Sequence, residues 1–257
     1  MTSLKITMSS PAILILGVSR GIGLATLEYL LKSSDAVVYG VSRSPPPQDL
    51  LDRYPSRLHF HSADLYDSSS ATQIVESMMA HYGRLSGIIY NSGTIEPLCT
   101  MADLDHDAFL KCMTLNIGTF IQIVRHALPH LKQTQGRVVG VSSGAAIKGR
   151  SGWGAYSMSK AAMNLAIETW ASENPEITFV SLRPGVVDTR MQDEIRERGL
   201  GPMGSVSHGT FVNLKTNGKL LDPRLPAMSL GQLVLNAPTT LSGRFLQWDD
   251  IQVLELV

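Results

Sequence analysis

The chain has 257 residues, 44% of them hydrophobic and 17% charged, with 22 basic and 22 acidic side chains. This length fits one large α/β domain, and a net charge of zero gives no reason to expect nucleic acid or a membrane as a partner. The two cysteines, Cys99 and Cys112, form no pattern typical of a disulfide framework or of a metal site, so we expect free thiols and no metal.

The amino-terminal residues lack the long apolar core of a signal peptide, and the apolar run 12–16 is too short to span a bilayer. We therefore expect a cytoplasmic protein.

Apolar runs of strand character alternate with segments of helical period. The predicted strands cover 12–16, 36–41, 58–61, 87–90, 137–142, 177–182 and 245–248. The predicted helices cover about 20–32, 68–82, 105–131, 155–173 and 224–236. This alternation predicts an α/β fold of the Rossmann type, a single domain over 1–257 with a doubly wound parallel sheet and helices on both faces. Ligands of such sheets bind beyond the carboxyl ends of the strands.

Residues 185–223 are rich in glycine, proline and polar side chains and carry one short helical pattern near 191–198. A long, irregular insertion late in an α/β domain is typical of a substrate lid. The alternative is an ordinary surface excursion.

The first predicted strand is followed by Gly17, Gly21 and Gly23, in the spacing GxxxGxG, at the start of the first helix. Glycines at such a place allow a tight turn and let backbone N–H groups approach a pyrophosphate at a helix N-terminus. The strand before and the helix after favour a dinucleotide site over an ordinary turn.

The second predicted strand is followed by Ser42 and Arg43, with no acidic residue there. An acidic residue at that place would bind the ribose 2′-hydroxyl of NAD, whereas arginine suits a 2′-phosphate. Arg20, inside the glycine turn, is a second candidate for the same phosphate. These residues favour NADP(H) over NAD(H), the alternative being a pair of solvent-exposed arginines.

Two further turns follow predicted strands. Asp64 is a candidate acceptor for the adenine amino group, with a helix cap as the alternative. Asn91, Ser92 and Gly93 would let the backbone pass close to a cofactor, although such a tripeptide is also found in ordinary turns.

Tyr156 and Lys160 are four residues apart and share one face of a helix. There the ammonium would favour the phenolate and lower the tyrosine pKa from its usual value of about 10. A phenol tuned in this way exchanges a proton with a carbonyl or alcohol oxygen. Together with a hydride donor at the glycine turn, the pair predicts a dehydrogenase or a reductase.

In this order, the motifs resemble those of the short-chain dehydrogenase/reductase superfamily over essentially the whole chain. The matching residues are the glycine turn, Asn91-Ser92-Gly93 in place of the usual Asn-Ala-Gly, Asn116, Ser143, Tyr156, Lys160 and Pro184-Gly185. Leu16 replaces the threonine that usually precedes the first glycine. The family's serine lies thirteen residues before its tyrosine, which selects Ser143 over Ser142.

The resemblance implies a catalytic set of Asn116, Ser143, Tyr156 and Lys160. Ser143 would hold the substrate carbonyl and Tyr156 would donate the proton. Lys160 would bind the nicotinamide ribose and lower the tyrosine pKa, and Asn116 would support a water-mediated proton relay. The expected cofactor-binding residues are Gly17, Ser19, Arg20, Gly21, Ile22, Gly23, Ser42, Arg43, Asp64, Leu65, Asn91, Ser92, Gly93, Tyr156, Lys160, Pro184, Gly185, Val187 and Thr189.

The carboxyl-terminal third is similar to sepiapterin reductase and to microbial benzil reductases, in the segments 188–192, 218–222 and 242–248. Sepiapterin reductase anchors its pterin through an aspartate, and the matching position here is Gln247. A neutral amide weakens that anchoring by about 1–3 kcal/mol, although Asp249 or Asp250 would substitute in a shifted register. We therefore expect NADPH-dependent reduction of a carbonyl such as benzil. The alternatives are a sepiapterin or pteridine reductase and a non-catalytic NADP(H)-binding regulator.

The expected substrate residues are Ser143, Trp153, Tyr156, Met191 and Gln247. Trp153 either walls an aromatic pocket or packs beneath the lid. The apolar helices around 105–131 and 155–173 suit a homodimer or homotetramer, although core packing explains the same periodicity.

Overall fold

The computed structural model describes residues 10–67 and 69–256. Over these residues it contains seven strands: β1 Ala12–Leu16, β2 Val37–Ser42, β3 Leu58–Ser62, β4 Gly87–Tyr90, β5 Arg137–Val141, β6 Thr178–Arg183 and β7 Phe245–Gln247. They form one parallel sheet in the order β3-β2-β1-β4-β5-β6-β7. The predicted Rossmann-type sheet is confirmed, and every predicted strand boundary lies within one residue of the observed one.

The helices of the described ranges lie between and beside the strands. They are α1 Gly21–Ser33, α2 Gln48–Arg53, α3 Ser70–Tyr82, α4 His106–Met113, α5 Thr119–Thr134, α6 Gly154–Glu173, α7 Arg190–Arg198, α8 Leu200–Thr216, α9 Arg224–Asn236 and α10 Ile251–Leu254. Within the same ranges, no helix is long and apolar enough to cross a membrane.

The sheet is buried on both faces, as the continuous apolar strands predict. Successive side chains of β1 point to opposite faces. Ile13 and Ile15 pack with Leu27 of α1 and Leu230 of α9. Leu14 belongs to the core on the other face, which α3, α5 and α6 cover.

From β1 the sheet extends to one side through β2 and β3, and from β4 it extends to the other side through β5, β6 and β7. The strand order therefore reverses between β1 and β4, which pair in parallel register. Parallel sheets of this topology bind ligands beyond the carboxyl edge at such a point. The turns after β1 and β4 therefore lie side by side at the place where the sequence predicts a cofactor.

One predicted helix is two helices. The segment predicted at 105–131 is divided into α4 and α5 by a π-helical turn over Thr114–Gly118. A π-turn inserts an extra residue into the helical ladder and changes the direction of the side chains around it. Asn116 lies inside this turn and is completely buried.

The segment 185–223 is more helical than the sequence predicts. The pattern near 191–198 corresponds to α7, but α8 was not predicted. Glycine and proline have low helix propensity, and α8 contains Gly201, Pro202, Gly204 and Gly209. The helix is broken at Gly204, where φ is 74° and ψ is 160°.

Tertiary packing explains why α8 forms despite its composition. Met203 and Phe211 are buried, with 4% of each side chain exposed, and both pack in one cluster with Trp153. The apolar area that these contacts bury stabilises a helix that local propensity does not favour.

Candidate active site

A cleft of about 1120 Å³ opens along the carboxyl edge of the sheet. It is lined by turns that follow all of the strands from β1 to β6. Every residue that the sequence predicts for the site lines this one cleft, with three exceptions: Gly23, Asn116 and Gln247.

The glycine turn joins β1 to α1 at one end of the cleft. Gly17 has a φ of +95° and Gly21 a φ of +58°, a region that side chains disfavour. A Cβ atom on Gly23 would lie 1.8 Å from the Gly17 carbonyl oxygen, so no side chain fits there. Gly23 therefore lies behind the cleft and lets α1 approach the turn, where the first N–H groups of the helix suit a phosphate.

The turn after β4 is tied to the glycine turn. The Asn91 Nδ2 donates to the Gly17 carbonyl oxygen at 2.9 Å, and the Ser92 backbone N–H donates to Leu16 at 3.0 Å. A Cβ atom on Gly93 would lie 3.2 Å from the Asn116 Oδ1 and 3.5 Å from the Lys160 Nζ. This turn thus links the glycine turn to the residues around Lys160.

The residues after β2 and β3 lie at the same end of the cleft. Arg20 and Arg43 are exposed, and the Arg43 guanidinium lies 5.9 Å from the centroid of the Tyr66 ring. The Ser42 hydroxyl donates to the Ser44 carbonyl oxygen at 2.7 Å.

Asp64 accepts from the Tyr66 backbone N–H at 3.1 Å and does not cap α3, which begins at Ser70. Its carboxylate stabilises the turn after β3 instead. The neighbouring Leu65 is buried, and its carbonyl oxygen accepts from the Thr119 hydroxyl at 2.7 Å.

Ser143 follows β5, and Tyr156 and Lys160 lie in the first half of α6. The Ser143 Oγ accepts from the Ala145 backbone N–H at 3.1 Å, which fixes the turn that carries it. The adjacent Ser142 donates to the Asn164 Oδ1 at 2.6 Å and is held in the scaffold. The two serines thus have different surroundings, and Ser143 is the one that shares a side-chain hydrogen bond with Tyr156.

Tyr156 and Lys160 are both buried, with 6% and 3% of each exposed. The Lys160 Nζ lies 5.8 Å from the centroid of the Tyr156 ring and donates to the Val141 carbonyl oxygen at 2.7 Å. The shared helix face predicted from their spacing thus brings the ammonium beside the ring.

Burial dominates the protonation of this pair. Desolvation raises the pKa of Tyr156 to about 12, against a smaller opposing effect of the Ser143 hydrogen bond. Desolvation also lowers the pKa of Lys160 to about 8. The spacing of Tyr156 and Lys160 predicts that the ammonium lowers the tyrosine pKa, and this prediction is wrong in direction because burial raises that pKa. Tyr156 is therefore a neutral phenol at neutral pH, the form that can donate a proton.

Asn116 lies behind the cleft instead of lining it. Its Nδ2 donates to the Thr94 carbonyl oxygen and to the Ser159 Oγ, each at 2.9 Å, and its Oδ1 accepts from the Thr94 N–H at 2.8 Å. Ser159 in turn donates to the Tyr156 carbonyl oxygen at 2.7 Å. The amide thus contacts α6, the helix that carries Tyr156, through Ser159.

Sequence reasoning missed Thr94, Ser159 and Cys112 in this network. The Cys112 Sγ accepts from the Asn116 Nδ2 at 3.4 Å. Helical spacing contained a signal for two of them, because Ser159 is three residues after Tyr156 and Cys112 is four residues before Asn116.

An apolar pocket lies beside Tyr156, where Trp153, Met203 and Phe211 pack in one cluster with it. The ring centroid of Trp153 is 5.9 Å from that of Tyr156 and 5.2 Å from that of Phe211, and the indole N–H donates to the Met203 Sδ at 3.3 Å. Trp153 therefore both lines the cleft and packs beneath α8. The half-buried Met191 also lines the pocket.

The segment after β6 crosses the cleft. Pro184 and Gly185 line it, and Val187 forms a parallel bridge with Leu221. The methyl group of Thr189 would lie 3.3 Å from a Cβ atom on Gly21, so this segment reaches the glycine turn.

Gln247 is not brought into the cleft. It ends β7 at the edge of the sheet, and its Nε2 donates to the Asp249 Oδ1 at 2.6 Å. The side chain is directed towards the turn after β7 by this bond, which the sequence pattern does not reveal.

Comparison with known proteins agrees with this geometry. Residues 11–199 match the family model of the short chain dehydrogenases. An uncharacterised oxidoreductase of Schizosaccharomyces pombe is 38% identical, over 92% of this chain and 95% of its own. A benzil reductase ((S)-benzoin forming) of Saccharomyces cerevisiae is 37% identical, over 93% of this chain and 95% of its own.

A solved structure is similar over nearly the whole fold. The crystal structure of a short-chain dehydrogenase/reductase from Saccharomyces cerevisiae has a TM-score of 0.92 and 35% sequence identity, and the match covers 96% of this chain and 100% of that one. With its parallel sheet, its glycine turn and this similarity, the chain is an oxidoreductase of the short-chain dehydrogenase/reductase family.

Proposed function

We propose that this protein reduces the carbonyl group of a diketone of the benzil type, with NADPH as the hydride donor and Tyr156 as the proton donor. The observation that carries the proposal is the position of the buried, protonated Tyr156 between Ser143 and the apolar pocket that contains Trp153. Aryl groups suit such a pocket because aromatic rings pack favourably edge to face. The similarity to a benzil reductase supports the same substrate class.

The cleft fits a nicotinamide dinucleotide, because the glycine turn leaves room for no side chain at Gly23 and offers the N-terminus of α1. When bound, that cofactor supplies the hydride. The Ser143 hydroxyl orients the carbonyl oxygen by donating to it. The Tyr156 phenol donates its proton to the same oxygen, so the product is the alcohol.

Lys160 and Asn116 act on Tyr156. With a pKa of about 8, Lys160 is charged at neutral pH and stabilises the phenolate that remains after the proton has left. Asn116 holds Ser159, and Ser159 holds the backbone of Tyr156. We infer that the proton is replaced by a water-mediated route that begins at this buried network.

The arginines favour NADPH over NADH. Arg20 and Arg43 are exposed at the end of the cleft next to β2, and no acidic residue follows that strand. A guanidinium binds a phosphate through two parallel hydrogen bonds, which supports recognition of a 2′-phosphate.

The proposal includes a lid formed by residues 185–223. Met203 and Phe211 of α8 cover the pocket, and an ion pair between Arg198 and Glu96 joins α7 to the loop after β4. A second ion pair, at 2.9 Å between the Lys215 Nζ and the Asp188 Oδ2, ties α8 to the segment after β6. These contacts suit a cover that closes on the bound substrate.

The diketone is favoured over a pterin because Gln247, the residue that matches the pterin anchor, bonds to Asp249 outside the cleft. We also propose a cytoplasmic location and a homodimer or homotetramer.

Replacement of Tyr156 tests the mechanism. Tyr156→Phe removes the phenolic hydroxyl and with it the transferable proton, so kcat for benzil should fall by about 10²- to 10⁴-fold, while NADPH binding is kept. NADPH oxidation and a fluorescence titration of NADPH measure the two quantities. Tyr54→Phe makes the same change outside the cleft and should leave both unchanged.

Two outcomes contradict the proposal. Turnover by Tyr156→Phe at the wild-type rate would show that another group donates the proton. If the wild-type protein binds NADPH but does not oxidise it when a diketone, a quinone or a pterin is added, the protein is a regulator. Benzil and sepiapterin, assayed side by side, separate the diketone from the pterin.

A further inference from the structure

Arg183 lines the cleft at the end of β6, directly before Pro184. Its guanidinium packs against Gly144, the residue after Ser143, because a Cβ atom on Gly144 would lie 3.0 Å from the Arg183 Cζ. The side chain is half-buried, and within residues 10–67 and 69–256 its guanidinium has no hydrogen bond or ion pair. The five N–H donors of this guanidinium have no protein partner in the described residues and are not enclosed by the protein, so they are open to a ligand in the cleft beside Ser143.

A second guanidinium lies at the same pocket. Arg150 is exposed, and its Cζ is 5.7 Å from the centroid of the Trp153 ring and 5.8 Å from that of Phe211. In the described part of the chain it also has no ion pair and no side-chain hydrogen bond. The aromatic faces orient this cation over the pocket.

The acidic side chains around the pocket do not balance these two arginines. Each is already paired with another cation: Asp188 with Lys215, Glu194 with Arg190, and Asp222 with Arg224. The substrate side of the cleft therefore has an excess of positive charge next to an apolar wall.

We propose that Arg183 binds a carboxylate on the substrate, so that keto acids with an apolar or aryl group are substrates beside the neutral diketones and are preferred to their own neutral esters. The inference rests on the proposed carbonyl reductase and adds an anionic substrate class to the neutral diketones. A planar carboxylate accepts two parallel hydrogen bonds from a guanidinium. Because Arg183 adjoins Gly144 and Ser143 holds the carbonyl, the carboxylate belongs close to the carbonyl carbon, as in a 2-oxo acid.

Arg150 has a different part in the same recognition. It lies over the aromatic wall, in contact with solvent, and attracts the anion to the pocket without a fixed bond. The apolar cluster of Trp153 and Phe211 receives the aryl group.

The test compares benzoylformate with its methyl ester, which share the same ketone and differ in one negative charge. We expect the wild type to have a higher kcat/KM for the acid. Arg183→Met should lower kcat/KM for the acid by about 10- to 100-fold, the loss of one charge-assisted hydrogen-bonded pair, and leave the ester nearly unchanged. Turnover of the ester shows that the variant is folded.

Two further variants sharpen the comparison. Arg183→Lys keeps the charge but not the two parallel hydrogen bonds, so we expect a partial loss for the acid. Arg244→Met removes one charge outside the cleft, where Arg244 bonds to Gln252, and should leave the ratio of acid to ester unchanged.

Calorimetric titration of benzoylformate in the presence of NADP⁺ gives a readout that needs no turnover. If wild-type protein binds benzoylformate and Arg183→Met weakens this binding, the inference is supported even without turnover. Failure of the wild type to reduce either compound would overturn only the proposed reductase. Equal losses for acid and ester would show that Arg183 positions the cofactor or the fold. Such equal losses, which leave the acid-to-ester ratio unchanged, would overturn the inference. A wild type with a higher kcat/KM for the ester would also overturn it.

Discussion

The ammonium of Lys160 is held by a backbone carbonyl as well as by its position beside Tyr156. Its Nζ donates to the Val141 oxygen at the end of β5, so the strand fixes the distance between the charge and the phenol. A charge placed this way stabilises the phenolate when it forms without making it the resting form. Burial keeps the proton on Tyr156 at neutral pH.

Arg43 determines the expected choice of cofactor at the residue scale. Arg43→Asp replaces a guanidinium by a carboxylate at the end of β2, which repels a 2′-phosphate and accepts hydrogen bonds from a 2′-hydroxyl. We expect the dissociation constant of NADPH to rise by at least about 10-fold, with a much smaller effect on NADH. Fluorescence titration with each dinucleotide measures both constants.

Arg244→Asp is the matched control for that titration, since Arg244 is exposed outside the cleft. Equal weakening of NADPH and NADH by Arg43→Asp would mean that Arg43 does not meet the 2′-phosphate.

The site residues that local spacing identifies differ from those that need three dimensions. Tyr156 and Lys160 share a helix face, so their proximity follows from a separation of four residues. The direction of Gln247 on an edge strand depends on Asp249, and the free guanidinium of Arg183 depends on which partners the fold leaves near it. Such facts are tertiary, and no pattern in the sequence contains them.

At the scale of elements, the π-turn shows what periodicity does not resolve. Hydrophobic spacing predicts one helix over 105–131 and does not reveal the π-turn at Thr114–Gly118. This turn directs Asn116 towards Thr94 and Ser159. The sequence therefore predicts the helix and, through the family resemblance, the importance of Asn116, but not the turn that connects the two.

The break in α8 gives a prediction about the proposed lid. Gly204 has backbone angles that only glycine adopts readily, and no atom lies within 4 Å of its Cβ position, so Gly204→Ala adds strain without a clash. We expect the free energy of unfolding to fall by about 1–3 kcal/mol, and KM for the ketone to rise while NADPH binding is kept. Urea denaturation and steady-state kinetics measure these effects.

Gly209→Ala is the control within the same helix. Its Cβ position is also open, but its backbone is helical, so alanine should raise the free energy of unfolding by about 0.5–1 kcal/mol. If both variants change the free energy of unfolding in the same direction, the backbone at Gly204 does not require glycine.

At the scale of the whole molecule, the alternation of strands and helices was sufficient to predict the architecture. Parallel strands that are buried on both faces have continuous apolar sequences, which are easy to recognise, and a right-handed crossover leaves few possible topologies. The short helices α2 and α10 were not predicted, since six and four residues are too few for a period to emerge. Helix α8 was missed because its stability comes from Trp153 and the rest of the pocket.

The exposed apolar side chains predict how copies of the chain associate. Leu110, Ile121, Met158 and Leu165 of α4, α5 and α6 are 46%, 36%, 38% and 64% exposed. Covering them in a second copy would stabilise a dimer at about 25 cal/mol per Å² of apolar area. We expect the wild type to elute from a sizing column with light scattering as a dimer or tetramer, and Leu165→Glu as a smaller species.

Val206→Glu places the same charge at an exposed position of α8 and should leave that mass unchanged. A monomeric wild type, or a Leu165→Glu variant of unchanged mass, would contradict an interface at these helices.

The parallel sheet also gives the molecule two rims with different properties. All of the loops that line the cleft lie at the carboxyl rim, while the helix-to-strand turns, such as the one at Gly83, return the chain to the opposite rim. No atom lies within 4 Å of the Cβ position of Gly83, so the space around this turn is open. Attachment to a bead or an electrode through that rim would orient every molecule alike, with its cleft towards the solution.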